Sequence, residues 1–402
     1  MNYKTYPIAD LIDEIAMGPF GSNIKVDCFV DKGIPVLNGS NLEGFELSEK
    51  SFRYVTEEKA DSLKKANAYK GDVVITHRGT LGQIVYIPQT AQRDRYVISQ
   101  SQFRVKCNKK VLPEYFVYYF HTPIGQHKLL SNASQVGVPA LARPSSTFQK
   151  IEIEIPDLET QRKVVKLIGS LQTRIKTNAE INDNLEQQAQ SYFQELFVDN
   201  ADPEWTTGTI SDLGTVVGGS TPSKAKPEYY TESGIAWITP KDLSNNKSKF
   251  VSHGENDITE LGLRNSSASI MPEGTVLFSS RAPIGYIAIA AGEVTTNQGF
   301  KSVVPKPEIG TPFVYFFLKN TLPVIEGMAS GSTFKEVSGS TMKNVPAVIP
   351  DAETLAKFSD FCAPIFAQQR ILEEQNQSLA TLRDNLLPKL MSGEIDVSAV
   401  QL

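Results

Sequence analysis

Cysteine is scarce in this chain. The three present, Cys28, Cys107 and Cys362, are scattered, which excludes a disulfide framework or a CxxC metal site and suits a reducing cytoplasm. The four histidines, His77, His121, His127 and His253, share no ligand-like spacing, so each reads as an ordinary polar residue. No run of eighteen apolar residues occurs, and the opening MNYKTYPIADLIDE lacks the pattern of a signal peptide; no membrane segment is expected. Catalytic signatures are missing too. There is no phosphate-cradling GxxxxGK[ST], no glycine-rich turn paired with a polar-Pro-Pro-aromatic tetrad, and no Ser/His/Asp or Cys/His set. These absences weigh against the rival reading of a self-contained site-specific methyltransferase or nuclease. Lys plus Arg is 40 against Asp plus Glu 45, a net charge of −5. Bulk charge therefore does not draw this chain to nucleic acid, although a local basic cleft would suffice for binding.

With 402 residues, 40% of them apolar and 21% charged, two or more ordinary globular domains are expected. Two long stretches organise the rest. From Asp157 to about Val198, Val164, Ile168, Leu171, Ile175, Leu185, Ala189, Tyr192 and Leu196 recur at gaps of three and four, interrupted by Asn178 and Asn182. From Asp351, Phe358, Cys362, Ile365, Gln369, Leu372, Asn376, Leu379, Arg383, Leu386 and Leu390 do the same. A repeat near 3.5 residues keeps one stripe of each helix facing a partner helix. At 1.5 Å per residue each helix would be roughly 60 Å long. The starts match: Pro156-Asp157 with Glu159-Thr160, and Pro350-Asp351 with Glu353-Thr354. An Asp cap with Glu in the first turn explains those carboxylates better than a nuclease metal pair does. The two stretches are expected to pair antiparallel, with Asn178 and Asn182 near Asn376 fixing the register.

The segments before each helix are versions of one unit. GPFGSN (18–23) answers to GGSTPSK (218–224), and GIPVLN (33–38) to GIAWIT (234–239), each of the latter pair a glycine turn into a short buried strand. YKGDVVITHRGTLGQIV (69–85) matches PEGTVLFSSRAPIGYIA (272–288) as strand, polar turn, strand. SQSQF (99–103) matches TNQGF (296–300), and a helix from Pro113 or Pro312 follows. The loops 131–145 and 330–340 then lead to a final strand ending at Ile155 or Ile349. The expected class is α+β: two similar mixed α/β domains, 1–156 and 201–350, separated by long antiparallel coiled-coil helices, 157–200 and 351–402, with a pseudo-twofold internal repeat. A stiff spacer holding two similar heads apart would act as a ruler on a double-stranded target with two half-sites.

This order of elements, with TPSKAKPEYY (221–230), GIAWITPKDL (234–243), EGTVLFSSRAPIGYIAIA (273–290), NQGF (297–300) and LRDNLLPKLMSGEI (382–395), resembles the specificity subunit of type I restriction–modification systems. The similarity covers nearly the whole chain; the second half fits better, because HRGT (77–80) replaces the usual SSRAPIG turn in the first. The resemblance implies a cytoplasmic, non-catalytic protein whose two target-recognition domains read a bipartite double-stranded DNA sequence. It implies two adenine-N6 methyltransferase subunits and an ATP-driven restriction and translocase subunit as partners. S-adenosylmethionine, ATP and Mg would reside on those partners, with no cofactor on this chain.

The repeat itself sorts the candidate contacts. Residues shared by the two heads should hold the fold or touch phosphate, whereas unlike residues in equivalent loops should set sequence. Arg78 and Arg281 are shared and read as phosphate or scaffold groups, with pairing to a local carboxylate the competing use. Gly82 and Gly285 are turn residues, and Tyr229 and Tyr230 read as packing rather than base stacking. The unlike loops offer Ser22, Asn23, Lys25, Asn38, Ser134, Gln135 and Arg143 in the first head. In the second they offer Ser220, Thr221, Ser223, Lys224, Lys226, Ser332, Thr333 and Lys335. Arg or Lys to guanine and Asn or Gln to adenine are the favoured pairings.

Overall fold

The computed structural model of the chain describes residues 3–134, 138–331 and 335–397. Two compact units divide it: Met1–Arg174 with Leu379–Leu402, and Ile175–Ser378. Each unit therefore takes a head and portions of both long helices.

In the first unit a four-stranded sheet runs in the order Ile12–Met17, Gln102–Cys107, Asp72–Thr76, Ile84–Tyr86, all antiparallel. Strands at its centre are apolar on both faces, so Val73, Val74 and Ile75 are all fully buried. A second sheet, Arg53–Val55, Ile34–Val36, Arg95–Val97, Asn67–Tyr69, packs beside it, and Lys4–Pro7 pairs with Glu152–Ile155. The second unit repeats the core order with Gly214–Gly218, Lys301–Pro305, Val276–Ser280 and Ile284–Ala290, adding Phe250–Val251 at the edge. Thr206–Thr209 pairs with Pro346–Ile349 as its counterpart did. Gly71 and Gly274 stand at φ +89° and +83°, a backbone that L residues seldom adopt, which is why the turn into the third core strand keeps glycine in both heads. Gly82 and Gly285, at φ +88° and +93°, are turn residues as expected.

The long helices are Leu158–Gln194, which runs on into a π turn at Glu195–Asp199, and Ala352–Ser392. Asp157 Oδ1 accepts from the Glu159 and Thr160 amides, both at 3.0 Å, and Asp351 Oδ1 from the Thr354 amide at 2.9 Å; the duplicated carboxylates are caps. The second helix continues through Pro364 and Pro388. Burial of Cys362, Ile365 and Phe366 around the first, and of Leu387 and Leu390 around the second, outweighs the lost backbone bonds.

The helices pack on each other, and every position in the expected seams is buried or half-buried. In the first unit Val164 and Ile168 share a core with Leu387, Leu390 and Met391 and with Tyr115, Phe116 and Tyr118 of the head. In the second, Ala189 and Phe193 join Phe358, Cys362, Ile365 and Phe366 against Phe313 and Phe316. Pairing is antiparallel: Asn178 Nδ2 donates to Asn376 Oδ1 at 2.9 Å, and further along Asn182 and Gln369 exchange side-chain-to-carbonyl bonds at 3.4 and 3.2 Å. Asn178 thus meets Asn376 as the spacing predicts. Asn182 does not; its partner is Gln369, about two turns from Asn376 on the antiparallel helix.

Each head is fastened to the helices by a different chemistry. In the first, the Arg383 guanidinium lies over the Phe45 ring, 5.2 Å from its centroid, and donates to Gln172 at 2.8 Å. In the second, the buried Lys249 ammonium donates to Glu186 at 2.6 Å and to Gln369 at 2.8 Å, and sits 3.6 Å from the Phe366 ring centroid. Lys319 and the Tyr315 hydroxyl reach the other Glu186 oxygen at 2.5 and 3.1 Å. Glu373 accepts the Lys249 and Phe250 amides at 2.8 and 3.0 Å, pinning the edge strand to the second helix. Burial drives the Lys249 pKa down to about 8 against the pull of Glu186. Burial pushes the Glu186 carboxyl up, but Lys249 and Lys319 together hold it below its usual range. Both partners of one ion pair are thus shifted down. For Lys249 desolvation wins; for Glu186 two cations win.

Candidate nucleic-acid interface

Equivalent loops frame one groove in each head. In the first, the turn after strand Ile12–Met17 approaches the turn before strand Gln102–Cys107 so closely that only glycine fits. The Gly18 amide donates to the Gln102 carbonyl at 2.8 Å, and a Cβ on Gly18 would lie 1.9 Å from the Ser99 carbonyl oxygen. Buried Gln102 accepts the Ser99 amide at 2.9 Å and stiffens that second turn. Arg78 and His77 form another side, and Lys64 and Lys65 a further one. Lys64 holds φ +46°, and the buried Asn67 amide stabilises that backbone by donating to the Lys64 and Ala60 carbonyls at 2.7 and 2.8 Å. The described lining includes Lys64, Lys65, Arg78, Asn23 and Gln100 and no carboxylate. Burial lowers the His77 pKa, which favours the neutral ring.

The second groove has the same frame and a different wall. The Ser220 amide donates to the Thr296 carbonyl at 2.9 Å, and a Cβ on Gly219 would fall 2.0 Å from the Asn297 carbonyl oxygen. Thr221 Oγ1 donates to Gln298 Oε1, and Gly299 N to Asn297 Oδ1 at 2.8 Å. Lys224, Lys241 and Arg281 line this groove, but so do Asp242 and Glu255. Lys241 pairs with Glu255 at 2.6 Å, and Arg281 with Glu336 at 3.3 Å. Cation is offset by carboxylate here, in contrast to the first head.

Asn23 and Arg78 line the first groove, and Thr221, Lys224 and Arg281 the second. Ser22 belongs to the same 3-10 turn as Asn23, Gly21–Asn23. The other expected contacts lie elsewhere. Lys25 is exposed at the start of the next 3-10 turn, and Asn38 caps a further one by accepting from the Ser40 amide at 2.9 Å. Ser134 is exposed on a short hairpin, and Arg143 is exposed at φ +47° before helix Pro144–Gln149. The half-buried Ser220 accepts the Trp237 indole N–H through its carbonyl at 3.0 Å; Ser223 is exposed, and Lys226 lies 3.6 Å from Glu228. Lys335 is exposed, whereas Gln135, Ser332 and Thr333 lie outside the described residues. Arg281 has the local carboxylate partner; Arg78 has none among the described residues. Tyr230 packs edge-on to Trp237 and donates to the Pro222 carbonyl at 2.6 Å, a turn-packing role. Lys64, Lys65, Gln100, Lys241 and Asn256 line the grooves without having been singled out. Gln100 and Lys241 fell within the SQSQF and GIAWITPKDL stretches, and Lys64-Lys65 is an adjacent basic pair.

A duplicated α+β scaffold, paired long helices and two unequal polar grooves together define a specificity-subunit architecture. Residues 5–187 and 203–382 match the type I restriction modification DNA specificity domain, one match per repeat. The type I restriction enzyme MjaIX specificity subunit of Methanocaldococcus jannaschii is 39% identical over 191 residues, 45% of this chain and 44% of that relative. The HindI specificity subunit of Haemophilus influenzae is 24% identical, with 81% of this chain and 87% of that one covered. The fold is shared with a type I restriction–modification S subunit from M. genitalium, at a TM-score of 0.59 and 16% identity, covering 97% of this chain and 96% of that one. This chain belongs to the type I restriction modification DNA specificity family. Among the described residues no helix is long and apolar enough to cross a membrane, and no cluster of three His, Cys, Asp or Glu side chains could hold a metal ion.

Proposed function

We propose that this chain is the sequence-reading, non-catalytic subunit of a cytoplasmic type I restriction–modification complex. Residues 1–156 and 201–350 serve as target-recognition domains for the two halves of a bipartite duplex sequence. Residues 157–200 and 351–402 form the spacer that sets the gap between those halves. Two methyltransferase subunits carry S-adenosylmethionine and modify adenine N6; a restriction and translocase subunit carries ATP and Mg. The observation that carries this reading is one groove frame occurring twice with different linings, as two readers of different half-sites require. The cationic lining of the first groove supports phosphate contact in a chain of net negative charge.

Replacing residues 205–349 by another second head, with Lys249 and Lys319 retained to meet Glu186, changes one half of the sequence methylated by the reconstituted complex. Lengthening both helices equally changes the gap. Methyl transfer by the chain alone, or a gap indifferent to helix length, refutes the proposal.

A further inference from the structure

Phe20, in the lining of the first groove, stands 84% exposed. A bare phenyl ring in a polar groove needs a reason. Gly18 is locked against Ser99 and Gln102, and a Cβ on Gly21 would come 2.1 Å from Gln100 Oε1. The Asn23 amide closes the turn on the Phe20 carbonyl at 2.8 Å. The ring is therefore carried on a knuckle whose backbone is tied to the facing turn and closed on itself. Around it the groove carries Lys64, Lys65 and Arg78 and no carboxylate. An exposed apolar ring in a groove lined by cations matches a DNA groove, where phosphates flank base edges, better than it matches a protein surface. The corresponding turn of the second head, GGSTPSK, has no aromatic and ties Thr221 to Gln298 instead.

We propose that Phe20 is a specificity-determining residue of the first head, packing its ring on the 5-methyl group of a thymine in the first half-site. This rests on the function proposed above. Among base edges in the major groove only thymine offers an apolar group, and phenylalanine is one of the side chains suited to it. Lys64, Lys65 and Arg78 seat the knuckle on neighbouring phosphates and carry no base preference.

The test uses the full chain assembled with its methyltransferase subunits and a duplex bearing the target read from methylated DNA. Replacing each first-half thymidine in turn by deoxyuridine weakens wild-type binding about three- to tenfold at one position. Phe20→Ala weakens binding to the thymidine duplex by about tenfold, is indifferent to deoxyuridine there, and keeps the wild-type salt slope. Phe20→Leu retains most of the discrimination, which separates loss of the contact from loss of the fold. Arg78→Ala reduces the salt slope by about one and leaves the deoxyuridine penalty intact. A wild-type complex indifferent to every deoxyuridine overturns the inference, and so does a Phe20→Ala chain that still discriminates. Loss of methyltransferase assembly in Phe20→Ala with DNA discrimination unchanged also overturns it, and assigns the knuckle to a protein partner. The proposed function falls separately, if the wild-type complex methylates no bipartite target.

Discussion

Glu186 is the residue on which the seating of the second head turns. Its carboxylate faces two ammonium groups, Lys249 at 2.6 Å and Lys319 at 2.5 Å, and the Lys249 side chain is only 6% exposed. Glu186→Gln leaves the Lys249 charge buried among Tyr315, Phe316 and Phe366 without the one carboxylate its ammonium bonds. Stranding one partner of a buried pair costs about 3–5 kcal/mol. With a urea slope of about 2–3 kcal/mol per molar, the unfolding midpoint should fall by about 1–2.5 M. Lys249→Met should cost less than half as much, because Glu186 keeps Lys319 and the Tyr315 hydroxyl. The double variant should be more stable than Glu186→Gln alone, since no buried charge then remains unpaired. The assay is built into the chain: both tryptophans, Trp205 and Trp237, lie in the second unit, so their fluorescence reports its unfolding selectively. A midpoint loss below about 0.3 M for Glu186→Gln, or strict additivity in the double variant, would refute the reasoning.

Four other outcomes follow from described geometry. Asn178→Leu leaves the Asn376 side-chain oxygen without its donor and should cost about 1–3 kcal/mol, whereas Asn178→Leu with Asn376→Leu should raise the tryptophan-detected midpoint above that of the single variant. The Lys249 ammonium has a folded pKa depressed to about 8 from 10.5, so its buried charge opposes folding below pH 8. Stability of the second unit should accordingly gain from Lys249 deprotonation between about pH 8 and 10, a component absent from Lys249→Met. At the acid end, Asp157 and Asp351 are held below the usual carboxylate range by the Thr160 and Thr354 amides. Their contribution is present above pH 3.8 and lost as pH falls through the lowered values; asparagine at both positions should flatten the decline followed by circular dichroism. Glu336→Gln should release Arg281 from its ion pair, strengthen low-salt binding to random duplex, and steepen the salt dependence by about one, as measured by fluorescence anisotropy.

The repeat was legible because backbone requirements created it. Gly71 and Gly274 answer a positive φ, and Asp157 and Asp351 answer unpaired helix amides, so the same letters recur wherever the same geometry does. The helix seams were legible for a similar reason, since burial follows the 3.5-residue period. What fastens the heads was not. Lys249 and Glu186 are 63 positions apart, and the first head solves the same problem with Arg383 over Phe45, so no internal comparison points to either. The partner of Asn182 depends on where the antiparallel register places each residue, which a heptad pattern on one strand does not specify. The groove walls were half-legible. Arg78 and Arg281 emerged from the repeat, but Glu336 neutralises only the latter. Lys64 reaches the first groove through a left-handed turn that no periodicity announces.

The unlike fastenings of the two heads bear on how such a protein can acquire a new target. An exchange at the strand ends near Thr206 and Ile349 would import a fresh reading surface but leave Glu186, Gln369 and Glu373 behind on the helices. Only a donor with cations matching Lys249 and Lys319 could settle on that inherited seat. The repertoire open to the second position is thus filtered at its foot, where the head meets the helices.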